Sequence, residues 1–219
     1  MFHGFNGSTI RYYEAISKEN SKTVHKENEQ LYMEGVKQPL EELYFELYNY
    51  FTRLDSDLLS TRRRCVSSAY NDARFCSENP IKEYCYVRFK LDRADRKNAL
   101  GFFFDASLDG YRYGLNIYNM EAKGMERIRD HMLDNRGFAM DLIQKFNASG
   151  LLEVRGDIYK RPNYPNESEP LRWWLEHKNI SFIHGEALNS RFYTGEILDD
   201  ICSAFDSVTE VYLMFKEAI

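Results

Sequence analysis

The sequence predicts an α+β fold: one domain over residues 1–219, with a mainly antiparallel sheet packed with N-terminal and C-terminal helices. Two observations predict it. At both ends apolar residues recur three or four positions apart: Val36, Leu40, Leu43, Leu47, Phe51 and Leu54 early in the chain, then Leu198, Ile201, Phe205, Val208, Tyr212 and Phe215 late. That is the period of an amphipathic helix with one core-facing stripe. Between them, residues 84–118 include runs that alternate apolar and polar side chains, the period of a half-buried strand. Their short polar connections suit antiparallel neighbours. No internal repeat and no shift in composition marks a domain boundary.

A first helix is expected from a Ser8 or Thr9 cap to about Lys18, with Ile10, Tyr13 and Ile16 at helical spacing. Asn20 and Ser21 break it and offer a new cap. Residues 22–54 read as helix, split or kinked around Gly35 and Pro39. Proline removes one helical bond but is at home in a first turn, so a second helix starting near Pro39 fits. Residues 54–60 form a linker, Arg62, Arg63 and Arg64 follow, a strand is placed at 65–70, and residues 70–82 form a polar loop. The strand at 84–91 puts Cys85, Val87, Phe89 and Leu91 on one face, and Tyr84, Tyr86, Arg88 and Lys90 on the other. Residues 92–98 make a polar turn, 99–105 a second strand, 107–110 a hairpin turn, and 111–118 a third strand with Tyr111, Tyr113, Leu115 and Ile117 sharing a face. Helices follow at 122–133 and 137–146, a strand at 151–159, a proline-bearing loop at 160–170, a helix from Ser168 or Glu169 to His177, a strand at 179–184, and a last helix over 190–218.

The net charge of −5 disfavours general binding to nucleic acid or to an anionic membrane. No apolar run approaches the roughly 20 residues that span a bilayer. The N-terminal residues lack the basic-then-apolar order of a signal peptide, which points to the cytoplasm. Cys65, Cys76, Cys85 and Cys202 form no CxxC pair and read as free thiols, any buried ones behaving as small hydrophobes.

The basic residues carry the functional expectation. Arg74 and Lys82 end the 70–82 loop, Arg88 and Arg112 stand on polar strand faces, and Lys160 and Arg161 open the late loop. Guanidinium groups present a planar fork that matches phosphate or carboxylate. If these side chains converge, they form a pocket for a small anionic ligand, with His25 and Asp72 as neighbours. The alternative is a non-catalytic protein-interaction module in which the same cations form salt bridges to Asp72, Asp105, Asp109 or Asp157. Asp72 beside Arg74 also suits a buried structural pair. The five histidines show no metal-ligand spacing, so no metal and no cofactor is implied. His25, among Lys22, Glu27 and Glu29, reads as a surface or capping group. The pairs Glu41-Glu42 and Asp199-Asp200, and Asp55 with Asp57, read as solvated carboxylates, and Arg62–Arg64 as a solvated turn. Trp173-Trp174 reads as one core ring and one edge ring. No GxSxG, Walker or GxGxxG motif assigns a reaction.

One resemblance runs through nearly the whole chain. Gly4-Phe5, Asn20, His25, VKQPL, DARFCSENPIK and GDIYKRP follow one another in an order that resembles the domain of unknown function 2461 family of bacterial and fungal proteins. The middle stretch keeps Asp72, Arg74, Phe75, Pro80 and Lys82 of the family pattern and departs from it at Asn71, Glu78, Asn79 and Ile81. The late stretch keeps Gly156, Lys160, Arg161 and Pro162, with Asp157 for a glutamate. The resemblance implies a bacterial α+β single-domain protein and assigns no catalytic residue.

Overall fold

The computed structural model describes residues 1–92 and 97–219. The expected polar turn at 92–98 therefore falls largely outside the described residues. The N-terminal helices are α1 (Gly7–Lys18), α2 (Lys22–Glu27), α3 (Glu29–Tyr32) and α4 (Gln38–Leu54), followed by the single turn α5 (Arg62–Cys65). The sheet strands are β1 (Tyr84–Lys90), β2 (Ala99–Ser107), β3 (Gly110–Tyr118), β4 (Glu153–Arg155) and β5 (Ser181–Glu186). Between β3 and β4 lie α6 (Ala122–Asp134) and α7 (Arg136–Ser149). The short α8 (Leu171–Leu175) precedes β5, and α9 (Glu196–Ala218) closes the chain. The sheet is antiparallel, in the order β1-β2-β3-β5-β4. The class is α+β, with helices from both ends of the chain.

Two compact units share these elements. One comprises Met1–Phe89, Phe103–Tyr113 and Gly185–Cys202; the other comprises Lys90–Phe102, Gly114–His184 and Ser203–Ile219. In the first, Phe5 stacks between Phe104 and Phe192 at 5.4 and 4.7 Å, and Phe89 packs on Tyr44 and Phe51. In the second, Phe102 packs on Phe205 and Tyr212, while Trp174 packs on Phe182. Offset and edge-on aromatic pairs of this kind add to plain burial.

The strand alternation is realised as expected. Cys85, Val87, Phe89 and Leu91 are buried, as are Tyr111, Tyr113, Leu115 and Ile117. Trp174 is a core ring and Trp173 an edge ring. The β3–β5 pairing depends on Gly114, whose backbone sits at φ +153° with the Phe182 carbonyl 1.9 Å from where a Cβ would stand. Only glycine takes both the angle and the approach.

Several boundaries differ from expectation. The α1 cap is Asn6, whose side chain accepts from the Ser8 N–H at 2.8 Å, because Thr9 is spent on a reciprocal bond to the Asn6 N–H and on the Gly35 carbonyl. The kink near Gly35 is a π-helical turn, Met33–Lys37, and Pro39 sits in the first turn of α4 as expected. The strand expected at 65–70 is replaced by α5 and isolated bridges, Val66 to Val87 and Tyr70 to Ile81. The strand expected at 151–159 is confined to Glu153–Arg155, because the chain turns out of the sheet at Gly156 and leaves Ile158 exposed. The helix expected over 168–177 is trimmed to α8. The helix expected from residue 190 opens as a 3-10 turn, Ser190–Tyr193, because Thr194 is extended before α9 begins. Among the described residues no helix is long and apolar enough to cross a membrane.

Candidate functional site

The 70–82 loop is tied down by side-chain amides. Asn20, just past α1, donates to the Ile81 carbonyl and accepts from the Ile81 N–H, both at 2.9 Å. Asn71 closes the loop on itself through its N–H to the Pro80 carbonyl at 2.9 Å and its side chain to the Asn79 carbonyl at 2.8 Å. Lys82 crosses beneath, donating from Nζ to the Ser68 carbonyl at 3.1 Å and to the Tyr70 carbonyl. Burial, then the nearby Arg88 guanidinium, pushes the Lys82 amine down from its ordinary value. These bonds fix Tyr70, which lines a cavity of about 700 Å³.

That cavity lies within the first unit. His25, Tyr32, Tyr70 and Tyr86 supply aromatic wall; Lys37 and Arg62–Arg64 supply positive charge; Glu29 and Glu41 supply negative charge. Glu41 is engaged by Arg62 at 2.6 Å. The side chains of Lys37 and Arg63 make no hydrogen bond or ion pair among the described residues. The Arg88 guanidinium lies over the Tyr86 ring, 3.8 Å from its centroid, a cation–π contact.

His25 is buried, not a surface or capping group: Tyr12, Tyr32 and Tyr70 surround it with ring centroids 5.2–5.9 Å away. Its Nδ1 is 2.8 Å from the Tyr12 hydroxyl. Burial lowers the His25 pKa despite the opposing charge of Glu29. Burial also raises the hydroxyl pKa of Tyr12, and that of Tyr32 to about 12.

A histidine whose folded pKa lies below its unfolded value, about 6.5, takes its proton later than the unfolded chain does as pH falls. Its contribution is complete above about pH 6.5 and is lost as pH falls toward the lowered folded value. His177, also held neutral by burial, acts in the same direction. The unfolding midpoint is expected to drop between pH 7 and pH 5, and to drop less in His25→Gln; an equal drop in both proteins counts against the assignment.

The other predicted cations have different surroundings. Arg74 is exposed and forks onto Asp72, bonding through Nε at 3.0 Å. That bond holds the Asp72 carboxyl at about 2. The pair is exposed, not buried, because residues 72–79 stand out from the protein; for the same reason Cys76 is an exposed thiol. Arg112 forks onto Asp105 through Nε at 2.9 Å and Nη2 at 3.0 Å. It lines a second cavity of the first unit, about 790 Å³, with Glu83, Asp105, Asp109 and Glu186 around it. Lys160 and Arg161 are exposed in a loop of the second unit. The structure thus sets Lys82 on the Tyr70 carbonyl and Arg88 over the Tyr86 ring, both outside the residues that line the cavity, and sets Arg74 and Arg112 in ion pairs. Among the described residues no cluster of His, Cys, Asp and Glu has the geometry to hold a metal.

Sequence reasoning passed over Tyr12, Tyr32, Lys37 and Tyr70 as site residues. No local spacing joins them, because three short helical pieces and a loop closure bring them together.

The chain belongs to the family described as "Conserved hypothetical protein (DUF2461)", whose model matches residues 8–213. No curated protein matches the chain.

Proposed function

We propose that the protein binds a small ligand bearing a phosphate or carboxylate group in the cavity walled by His25, Tyr32, Tyr70 and Tyr86. One observation carries the reading: Lys37 and Arg63 line this cavity without a carboxylate partner among the described residues, in a chain of net charge −5. Four cations face two carboxylates there, and one of those is taken up by Arg62. An oxyanion is the complement of such a site, since hydrogen bonds to charged groups each contribute about 1.5–3 kcal/mol when made. Lys82 and Arg88, outside the cavity lining, hold Tyr70 and Tyr86 in place. The four free thiols support a reducing, cytoplasmic setting for this role.

Calorimetric titration with inorganic phosphate, phosphorylated metabolites and nucleotides tests the proposal. A saturable heat is expected, weakened about tenfold or more by Arg63→Ala, and unchanged by Arg161→Ala in the other unit. Normal folding with no response to any anion would remove the proposal.

A second reading, a non-catalytic interaction module, is favoured by a different observation. Phe75 is 81% exposed and Tyr70 49%, and beside Phe75 Arg74 is already neutralised by Asp72. An anion-blind protein that loses a partner on Phe75→Ser would favour it.

A further inference from the structure

We infer that Tyr12 locks His25 in the tautomer that carries its proton on Nε2, and that this N–H is the uncharged donor the cavity offers to a bound oxyanion; the second half rests on the anion reading above. Tyr12 is 1% exposed, and its hydroxyl has one partner among the described residues, His25 Nδ1. If Nδ1 held the ring proton, it would donate to the Tyr12 oxygen and leave the hydroxyl hydrogen buried with no acceptor. A buried donor left unmade is the expensive case. The hydroxyl therefore donates, Nδ1 accepts, and the proton of the neutral imidazole stands on Nε2.

The remaining ring nitrogen is the one that matters for a ligand. His25 is 8% exposed, so its ring is almost wholly enclosed by protein. Nε2 bonds to no described residue, yet it is not sealed from solvent. The ring belongs to the lining of the cavity that holds Lys37 and Arg62–Arg64. A polar atom in such an enclosed ring, without a protein partner and bordering a positively charged cavity, is a donor awaiting an acceptor.

The groups that set its charge come from every neighbouring element. α1 contributes Tyr12; α3 contributes Glu29 and Tyr32; the π turn contributes Lys37; α4 contributes Glu41; α5 contributes Arg62, Arg63 and Arg64; the loop contributes Tyr70; β1 contributes Tyr86. Four cations oppose an imidazolium, and Glu41 is already paired with Arg62. Burial keeps the ring neutral against the one remaining carboxylate, Glu29. The consequence is a site that holds its anion without a protonated histidine. Binding then persists at alkaline pH, where an imidazolium site would lose up to tenfold in affinity per pH unit above its pKa.

Long-range ¹⁵N–¹H spectra of the histidine rings in the whole protein test the first half without any ligand. At pH 7.5 the His25 signals, assigned through His25→Phe, are expected to show a protonated Nε2 and a bare Nδ1. Tyr12→Phe is expected to turn this single form into a tautomer mixture. A protonated Nδ1, or a charged ring at that pH, overturns the inference. Sulfate, whose charge is constant over this range, tests the second half. It is expected to shift the Nε2–H signal while leaving His3, His131, His177 and His184 in place. Its affinity should change less than about twofold from pH 7.0 to 8.5 and fall about tenfold in His25→Phe. If sulfate binding depends on Arg63 but the Nε2–H signal does not move, this inference fails and the anion site stands. If sulfate does not bind in the cavity at all, both fail.

Discussion

Gly35→Ala is expected to destabilise the first unit by about 3 kcal/mol, the upper part of the range for forcing an extra group into a packed site. A Cβ on Gly35 would stand 2.4 Å from the Thr9 nitrogen and 2.5 Å from the Ser8 carbonyl carbon. Both are backbone atoms of α1, so no side chain can swing aside to make room. The approach is fixed from both sides. Thr9 donates its hydroxyl to the Gly35 carbonyl at 2.6 Å, and Asn6 donates its side-chain amide to the Glu34 carbonyl at 3.0 Å. These bonds recruit carbonyls that the wide turn of the π helix leaves accessible. Separating α1 from the π turn to admit one methyl breaks both. Gly137→Ala is the matched control: nothing lies within 4 Å of its Cβ position in α7, so it is expected to be stabilising by about 0.5 kcal/mol. Urea unfolding compares the two through the midpoint at unchanged slope. A Gly35→Ala midpoint no lower than that of Gly137→Ala would show that the helices are free to part. The same substitution bears on the ligand site, because Met33 and Lys37, at the two ends of the π turn, both line the cavity. Anion affinity is therefore expected to fall in the fraction of Gly35→Ala that remains folded.

The elements of this fold were legible where a periodic pattern met a single solvent. β1 shows its buried face in Cys85, Val87 and Phe89 because one face of this strand is covered, while Tyr84 and Lys90 on the other are exposed. The Val36–Leu54 stripe reads as helix for the same reason. The length of β4 was not legible: Leu152, Val154 and Ile158 keep a strand-like pattern, but the chain leaves the sheet at Gly156. Its partner carbonyl there, Asn179, is twenty-three residues away, and only tertiary structure reports it.

The candidate site divides along the same line. The salt-bridge alternative named Asp72 and Asp105, and both do pair with the neighbouring arginines, Arg74 and Arg112. Arg74 is two residues from its partner and Arg112 stands across a hairpin, so proximity was implicit in local structure. The Tyr12–His25 bond is of another kind. The two residues are separated by the Asn20–Ser21 break, and their meeting depends on how α1, α2 and α3 fold back on one another. His25 looked solvated among Lys22, Glu27 and Glu29 because Lys22 and Glu27 are exposed on the same short helix, α2, whose His25 is buried against Tyr12. A single ring buried on a short polar helix leaves almost no trace in composition.

Arg129→Met is expected to lower the stability of the second unit by about 3 kcal/mol, through unmade hydrogen bonds more than through lost volume. Arg129 is 4% exposed, on the inner face of α6. Its Nε donates to the Leu175 carbonyl at 2.9 Å and its Nη2 to the His177 carbonyl at 2.5 Å. Leu175 ends α8, where carbonyls lack partners along the helix, so the guanidinium caps a five-residue helix that has little stability of its own. The chain just beyond is bound to the 157–159 segment by Lys178 N–H to Asp157 and Tyr159 N–H to Glu176. The Tyr159 ring lies 5.3 Å from the Arg129 guanidinium carbon. One side chain therefore fastens α6, α8 and the segment leading into the late loop. Methionine matches the apolar stem but leaves two carbonyls bare; relief of the buried charge offsets only part of that loss. Arg129→Lys separates fork from charge, since an ammonium on a flexible stem cannot hold two carbonyls in the fixed geometry of a guanidinium. It is expected to recover less than half of the loss. Trp173 and Trp174 are the only tryptophans in the chain and both lie in α8, so fluorescence reports this corner directly. In Arg129→Met the tryptophan signal is expected to change at lower urea than the far-ultraviolet signal of the long helices. Coincident transitions with a loss below about 0.5 kcal/mol would mean that other donors satisfy the Leu175 and His177 carbonyls, and that the buried arginine is not the clamp.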